Sequence, residues 1–223
     1  YYSDTATIRP YMQRFMYKRF VMKTDSTPNR YIKTIMADNL NIDLKDNDGG
    51  FNCGKAAGYI QDFKSLPEKM QDLLKQIKRV RVLFGTIELH NPVDETGASV
   101  SIGSTPFIWE VENRDAFKTF GTVVFNKLNK MKRLPIHHYV KLATEERKLP
   151  NGNCFYLPSV SLDLSTTLDM DDDTQENLAN FLAWVSNYNG YITNAWDENM
   201  HKNEDVDKET VDEFIDITAE EFA

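Results

Sequence analysis

A glycine-rich segment, Gly49-Gly50-Phe51-Asn52-Cys53-Gly54-Lys55, matches the first seven positions of a phosphate-binding loop. In such a loop, backbone N–H groups surround the phosphates and a hydroxyl at the eighth position binds magnesium. The eighth residue here is Ala56, and the segment before the loop is polar rather than a buried strand. The pattern therefore favours a glycine-rich hairpin turn over a nucleotide site.

An acidic triplet has part of the spacing of a calcium-binding loop. Asp169, Asp171 and Asp173 occupy the opening positions, whereas Thr174 and Asn180 stand where that loop requires glycine and glutamate. Carboxylates in a first helical turn can instead accept hydrogen bonds from its free N–H groups and complement the helix dipole. We therefore expect a helix N-terminus here, and the sequence predicts no metal and no cofactor.

The remaining candidate catalytic groups are a histidine pair and a charged triplet. His137 and His138 are adjacent, so in a strand they point to opposite faces and cannot share one metal ion. Glu146-Arg147-Lys148 has the acid-x-Lys form of metal-dependent nucleases, with Asp94 or Asp115 as the upstream acid. A metal-dependent nuclease is thus the enzymatic alternative, but no catalytic set is complete, and we expect the protein not to be an enzyme.

Basic and aromatic residues are interleaved in three segments. Two of these are residues 14–20 and 79–84, and the third contains Lys127, Lys130, Lys132 and Arg133. Single-stranded nucleic acid needs cations for its phosphates and flat side chains on which unstacked bases can lie. The alternative for each segment is that its rings belong to the core and its cations to a solvated face. Because the pattern recurs, it favours nucleic-acid binding.

Charge is distributed unevenly along the 223 residues. The net charge is −8, yet residues 1–148 carry +7, residues 149–196 carry −6 and residues 197–223 carry −9. Hydrophobic residues make up 41% of the chain, which is enough for a folded core. The two cysteines, Cys53 and Cys154, fit neither a disulfide framework nor a zinc pattern. We therefore expect a cytoplasmic protein with no membrane partner, in the cytoplasm of the host cell if a phage encodes it.

Hydrophobic periodicity predicts the order β-β-α-β-β-α-β-β-α, followed by a polar tail. Strands are expected at residues 11–22, 30–36, 79–89, 107–111, 136–144 and 154–164. Helices are expected at 65–78, at 114–130 with Asn113 as its N-terminal cap, and after 171–173. The predicted class is α+β, as an elaborated small β-barrel of the oligonucleotide-binding type or as an antiparallel sheet with two to three inserted helices. Residues 1–196 would form one domain, and residues 197–223 a flexible acidic tail with a short helix near 211–217.

This layout resembles the single-stranded DNA-binding proteins of tailed bacteriophages, which join an oligonucleotide-binding barrel to an acidic tail ending in an aromatic residue. Residues 205–223 are acidic and contain Phe214 and Phe222, although Ala223 follows Phe222. The resemblance implies a tail that competes with DNA and recruits the phage polymerase or helicase. The tail residues concerned would be Asp212, Glu213, Phe214, Glu220, Glu221 and Phe222.

The resemblance also implies a DNA-binding face built from the basic and aromatic segments. Its expected residues are Arg14, Tyr17, Lys18, Arg19, Phe20, Arg79, Arg81, Trp109, Lys130, Lys132 and Arg133. The function implied is sequence-tolerant binding of single-stranded DNA in phage replication or recombination. A phage structural or assembly protein without catalytic activity is the main alternative, and the sequence leaves open a homo-oligomer and a preference for RNA.

Overall fold

The computed structural model of the protein describes residues 1–23, 28–58 and 60–220, with side chains described as far as residue 200. The strands are β1 (Thr5–Val21), β2 (Arg30–Lys33), β3 (Ile77–His90), β4 (Thr105–Val111), β5 (Val140–Lys148) and β6 (Cys154–Leu162). The helices are α1 (Glu68–Gln76), α2 (Arg114–Thr119), α3 (Asn126–Lys130) and α4 (Asp172–Glu220). A π-helical turn at Phe120–Phe125 joins α2 to α3. The α+β class and the order of elements are as the sequence predicts.

The strands form an open antiparallel sheet with the order β4-β3-β1-β5-β6, and β2 pairs with β1 outside this row. Of the two predicted architectures, this is the antiparallel sheet with inserted helices and not a closed barrel. The outer strands β4 and β6 each contain a proline, with Pro106 opposite Thr86 and Pro158 opposite Thr144. Proline has no N–H to donate to a sheet and is tolerated at such edges.

The chain divides into two compact units, and β1, β3 and α4 each contribute residues to both of them. Unit 1 contains Tyr1–Phe15 and Arg79–Trp184, and unit 2 contains Met16–Lys78 and Val185–Ala223. The boundary predicted between residues 196 and 197 therefore falls inside α4.

The core of unit 1 lies between the sheet and the α2–α3 segment. Its fully buried side chains include Leu83 from β3, Val140 from β5 and Phe120 from the π-helical turn. On the other side of β3, the Phe84 ring contacts the rings of Phe181 and Trp184, at centroid distances of 5.6 and 5.8 Å. Both faces of β3 are therefore covered within unit 1.

The core of unit 2 is smaller, and α4 is joined to it by side-chain hydrogen bonds. Tyr17, Ile32, Leu44 and Cys53 form its buried cluster. The side-chain amide of Asn189 in α4 accepts from the Met36 N–H at 2.7 Å and donates to the Met36 carbonyl at 2.9 Å. This amide thus takes the place of a partner strand for the backbone at Met36.

Local capping explains where two helices begin. The Asn113 side chain accepts from the N–H groups of Asp115 and Ala116, as predicted for the start of the second long helical segment. Asp171 accepts from the Thr174 N–H at 2.9 Å, which confirms a capping role for the acidic triplet. The hydrogen bond from the Thr174 hydroxyl, followed by that from the Thr174 N–H, lowers the pKa of the Asp171 carboxyl.

Two predicted boundaries differ from the structure. A 3-10 turn at Pro135–His137 delays the start of β5, because proline at the first position favours a helical turn over a strand. Helix α4 continues to Glu220 rather than ending near Trp196. Residues 191–220 contain neither glycine nor proline, so nothing in this polar sequence interrupts a helix once α4 has started.

Candidate nucleic-acid interface

The strongest candidate surface lies on one side of the β1–β2 pair in unit 2. The register places Lys18 opposite Lys33 and Phe20 opposite Tyr31. Residues directly opposite each other in an antiparallel pair share a face, so these four side chains form one surface, which we call the ring–lysine face. Phe20 is 40% exposed and Tyr31 is 51% exposed.

The geometry of the ring–lysine face is that of a small platform bordered by positive charge. The Phe20 and Tyr31 ring centroids are 5.0 Å apart, with an interplanar angle of 54°. The Lys18 ammonium lies 4.8 Å from the Tyr31 centroid, within the range of a cation–π contact. The base of a nucleotide could therefore stack on a ring while its phosphate contacts a lysine.

The opposite side of this strand pair is the core of unit 2. Tyr17, expected at the DNA-binding face, is buried, and its hydroxyl donates to the Leu40 carbonyl at 3.2 Å. Strand alternation places Arg19 on the same side as Tyr17. Arg19 is half-buried, and its Nε has no hydrogen-bond partner among the described residues. Side chains alternate along β1, so Lys18 and Phe20 face outward while Tyr17 faces the core.

Arg81 is also placed away from solvent, in the core of unit 1, and is 6% exposed. Its guanidinium carbon lies 4.9 Å from the Phe15 centroid and 4.6 Å from that of Phe117. Its Nη1 donates to the side-chain oxygen of Gln13. Burial lowers the pKa of Arg81 to about 10. The predicted role of Arg81 in DNA binding is therefore corrected to a cation held among aromatic rings.

The other expected binding residues are divided among several elements. Arg14 is half-buried, and its Nη1 donates to the Gln13 carbonyl at 2.9 Å. Arg79 is exposed at the start of β3, whereas Trp109 packs edge-on against Phe120 at 5.3 Å on the core side of β4. Three exposed residues follow one another around the end of α3: Lys130, Lys132 and Arg133. Only Lys18 and Phe20 of the expected set therefore belong to the ring–lysine face.

Tyr31 and Lys33 complete the ring–lysine face but were not among the expected binding residues. The sequence did predict a strand at residues 30–36 beside the first strand. Its alternation of Tyr31 and Lys33 around the apolar Ile32 was the available signal, since alternate residues of a half-buried strand face solvent together.

The glycine-rich segment forms a hairpin turn, as the sequence predicts. The Asp46 N–H donates to the Gly50 carbonyl, and the Asn52 N–H to the Leu44 carbonyl, both at 2.9 Å. The turn surrounds the buried carboxylate of Asp46, which accepts from the N–H groups of Asp48, Gly50 and Cys53 at 3.0–3.1 Å. The N–H groups of this turn are thus hydrogen-bonded to a carboxylate of the protein itself.

The residues of the nuclease alternative are brought together only in part. Asp115 and Lys148 line one cleft of unit 1, and Glu146 is not among the residues that line it. Glu146 accepts instead from the Cys154 thiol at 3.1 Å. Within residues 1–23, 28–58 and 60–200, no three acidic, histidine or cysteine side chains are grouped closely enough to hold a metal ion.

Most of the acidic tail expected from the sequence belongs to α4. Asp212, Glu213, Phe214 and Glu220 lie in this helix, where the structure describes only the backbone. Glu221 and Phe222 lie outside the described residues. The predicted roles of these six residues in partner binding stay predictions.

Comparison with known proteins gives no relative: no family model, curated protein or solved structure matches the chain. Among the described helices, none combines the length and apolar character needed to cross a membrane. Any functional assignment must therefore rest on the surfaces themselves.

Proposed function

We propose that this protein binds single-stranded DNA, with little regard to sequence, through the ring–lysine face of unit 2. The observation that carries the proposal is a pair of exposed rings 5.0 Å apart, on a strand surface that also bears two lysines. Rings stack on any base, and lysines bind any phosphate, so such a surface discriminates weakly between sequences. Binding of this kind requires an exposed strand surface with rings and cations, and not a closed barrel.

Replacing both rings, as Phe20→Ala with Tyr31→Ala, should weaken binding to oligo-dT by roughly tenfold or more, because each stacked base contributes about 1–3 kcal/mol. Fluorescence titration at two salt concentrations measures this loss. Tyr156→Ala is the matched control, since Tyr156 is a 65% exposed ring on β6 in unit 1. An equal loss in the control, or no binding by the wild type at about 50 mM salt, would reject the ring–lysine face as the binding surface.

The same titrations test the lysines independently of the rings. Each phosphate neutralised on a single strand contributes about −0.7 to the slope of log K against log salt. Lys18→Gln should therefore reduce the steepness of that slope by about 0.7. Lys69→Gln, an exposed lysine of α1 in the same unit, should leave the slope unchanged.

We extend the proposal to the acidic segment that begins at Asp197, which carries −9. Such a segment competes with DNA for cations and offers a phage polymerase or helicase a binding site, as the bacteriophage resemblance implies, in replication or recombination. Deleting residues 201–223 keeps the described contacts of Asn189 and Asn199 with the rest of unit 2. The deletion should tighten oligo-dT binding most strongly at low salt. If the deletion leaves the affinity unchanged, the acidic segment does not compete with DNA.

A further inference from the structure

A second polar depression lies on unit 1, on the sheet face opposite the α2–α3 segment. The register aligns Thr7, Lys141 and Ser161 across β1, β5 and β6. Two residues further along each strand, on the same face, it aligns Thr5, Ala143 and Ser159. Because Ala143 is small and lies between two hydroxyl residues, the sheet surface is recessed there. The resulting cavity of about 270 Å³ is also lined by His90, from the end of β3.

Four polar groups around this cavity can donate hydrogen bonds to a ligand. They are the hydroxyls of Thr5, Ser159 and Ser161 and the Lys141 ammonium, and no carboxylate is among the lining residues. Ammonium and hydroxyl donors that converge on one position favour an oxyanion, and those from a charged group are the stronger. The chain has 34 acidic and 26 basic residues, yet this cavity is lined by a lysine and by no acid.

His90 is held in place by the same hydroxyl residues. Its Nδ1 lies 3.1 Å from the Thr5 Oγ1, and its Nε2 lies 3.0 Å from the Thr7 Oγ1. A neutral imidazole donates from one nitrogen and accepts at the other. When Nδ1 donates to Thr5, the Thr5 hydroxyl keeps its own proton for a ligand in the cavity. The contact therefore leaves the Thr5 hydroxyl able to serve as a donor.

One acid outside the cavity, Asp163, interacts with the positive charge of Lys141. Lys141 contributes to the lowered pKa of the Asp163 carboxyl, after the hydrogen bonds from the Ser165 hydroxyl and N–H. Those hydrogen bonds, at 2.6 and 2.8 Å, hold Asp163 in its own turn. Asp163 therefore partly neutralises the Lys141 charge, although Asp163 does not line the cavity.

We infer that this depression binds a phosphate-type oxyanion, over Ala143 and between Lys141, Thr5 and Ser159. The site is separate from the ring–lysine face and does not depend on the function proposed for it. The anion would lie on the small side chain of Ala143, with Lys141 supplying charge and the hydroxyls fixing its orientation.

Titration calorimetry with inorganic phosphate and with phenyl phosphate at low salt tests the inference. Lys141→Gln should weaken binding by about tenfold or more, since it removes a charge-assisted hydrogen bond. Ala143→Leu should abolish binding by filling the recess while keeping every donor. Lys148→Gln, at the far end of the same strand, is the matched control and should bind as the wild type does.

Two further readouts separate the outcomes. Asp163→Asn should strengthen binding, because it leaves the Lys141 charge unshared, and circular dichroism establishes that each variant is folded. Tighter binding of phenyl phosphate would indicate a phosphate carried on a larger molecule, and equal affinities a free anion. The inference fails if the wild type binds neither probe, or if folded Lys141→Gln and Ala143→Leu proteins both bind as tightly as the wild type.

Discussion

Gly85→Ala should destabilise the protein by about 3 kcal/mol or more, because the added methyl group has no room. A Cβ at this position of β3 would lie 2.2 Å from the Arg9 carbonyl oxygen and 3.0 Å from the Pro10 Cα. These atoms belong to the backbone of β1, the adjacent strand, which pairs on its other side with β5. Relief would require a shift of β1 itself, and not only a change of side-chain rotamer.

Urea unfolding followed by circular dichroism and tryptophan fluorescence measures this effect. Gly190→Ala is the control, because Gly190 lies within α4 and a Cβ there meets no atom within 4 Å. The control should stabilise the protein by about 1 kcal/mol, since alanine is the better helix former. The same substitution is thus expected to have opposite signs at the two sites. A Gly85→Ala midpoint equal to that of the wild type would mean that β1 does not hold the position described.

Asp46→Ala should have a comparably large effect in unit 2, because one buried carboxylate satisfies three backbone N–H groups. Asp46 is 2% exposed. A buried donor left without an acceptor costs about 1–3 kcal/mol, and the Cys53 N–H is buried while those of Asp48 and Gly50 are half-buried, so we expect a loss of about 2 kcal/mol or more. Asp48→Ala is the control for loss of a like charge from the same hairpin. Asp48 forms a surface ion pair with Arg30 at 2.8 Å, which is worth at most about 1 kcal/mol.

The pH dependence of stability gives a second test of Asp46. Burial is the largest influence on its carboxyl and raises the pKa above the ordinary value of 3.8. The folded state therefore binds more protons than the unfolded state just above that value, and the free energy of unfolding falls as pH rises through the folded pKa. Asp46→Asn should remove this decrease, as seen in chemical unfolding at several pH values. A wild-type profile that Asp46→Asn leaves unchanged would contradict this sign.

Local pattern was sufficient to predict the order of the elements. The glycine-rich hairpin, the Asn113 cap and the acidic cap of α4 depend on residues within a few positions of one another, and all three are confirmed. The burial of Arg81 could not be predicted in the same way. Alternation along β3 indicates two faces, but which elements cover them depends on α2, α3 and α4, which come 30 to 100 residues later.

The candidate surfaces depend even more strongly on register. The prediction included Phe20 and Lys18, but their partners Tyr31 and Lys33 follow from a pairing that the sequence does not specify. The depression over Ala143 combines residues from β1, β3, β5 and β6, separated by as many as 156 positions. Spacing along the chain carries no signal for such a set. The length of α4 was likewise missed, because its acidic composition is also typical of tails without structure.

The prolines of the two outer strands affect how copies of this chain meet in a concentrated solution. A strand that adds to an existing edge needs a continuous row of N–H and C=O groups, and Pro106 and Pro158 interrupt that row at opposite ends of the sheet. Growth of fibrils by strand addition is thereby disfavoured on both sides. At high concentration the chain would gain resistance to aggregation from these two residues.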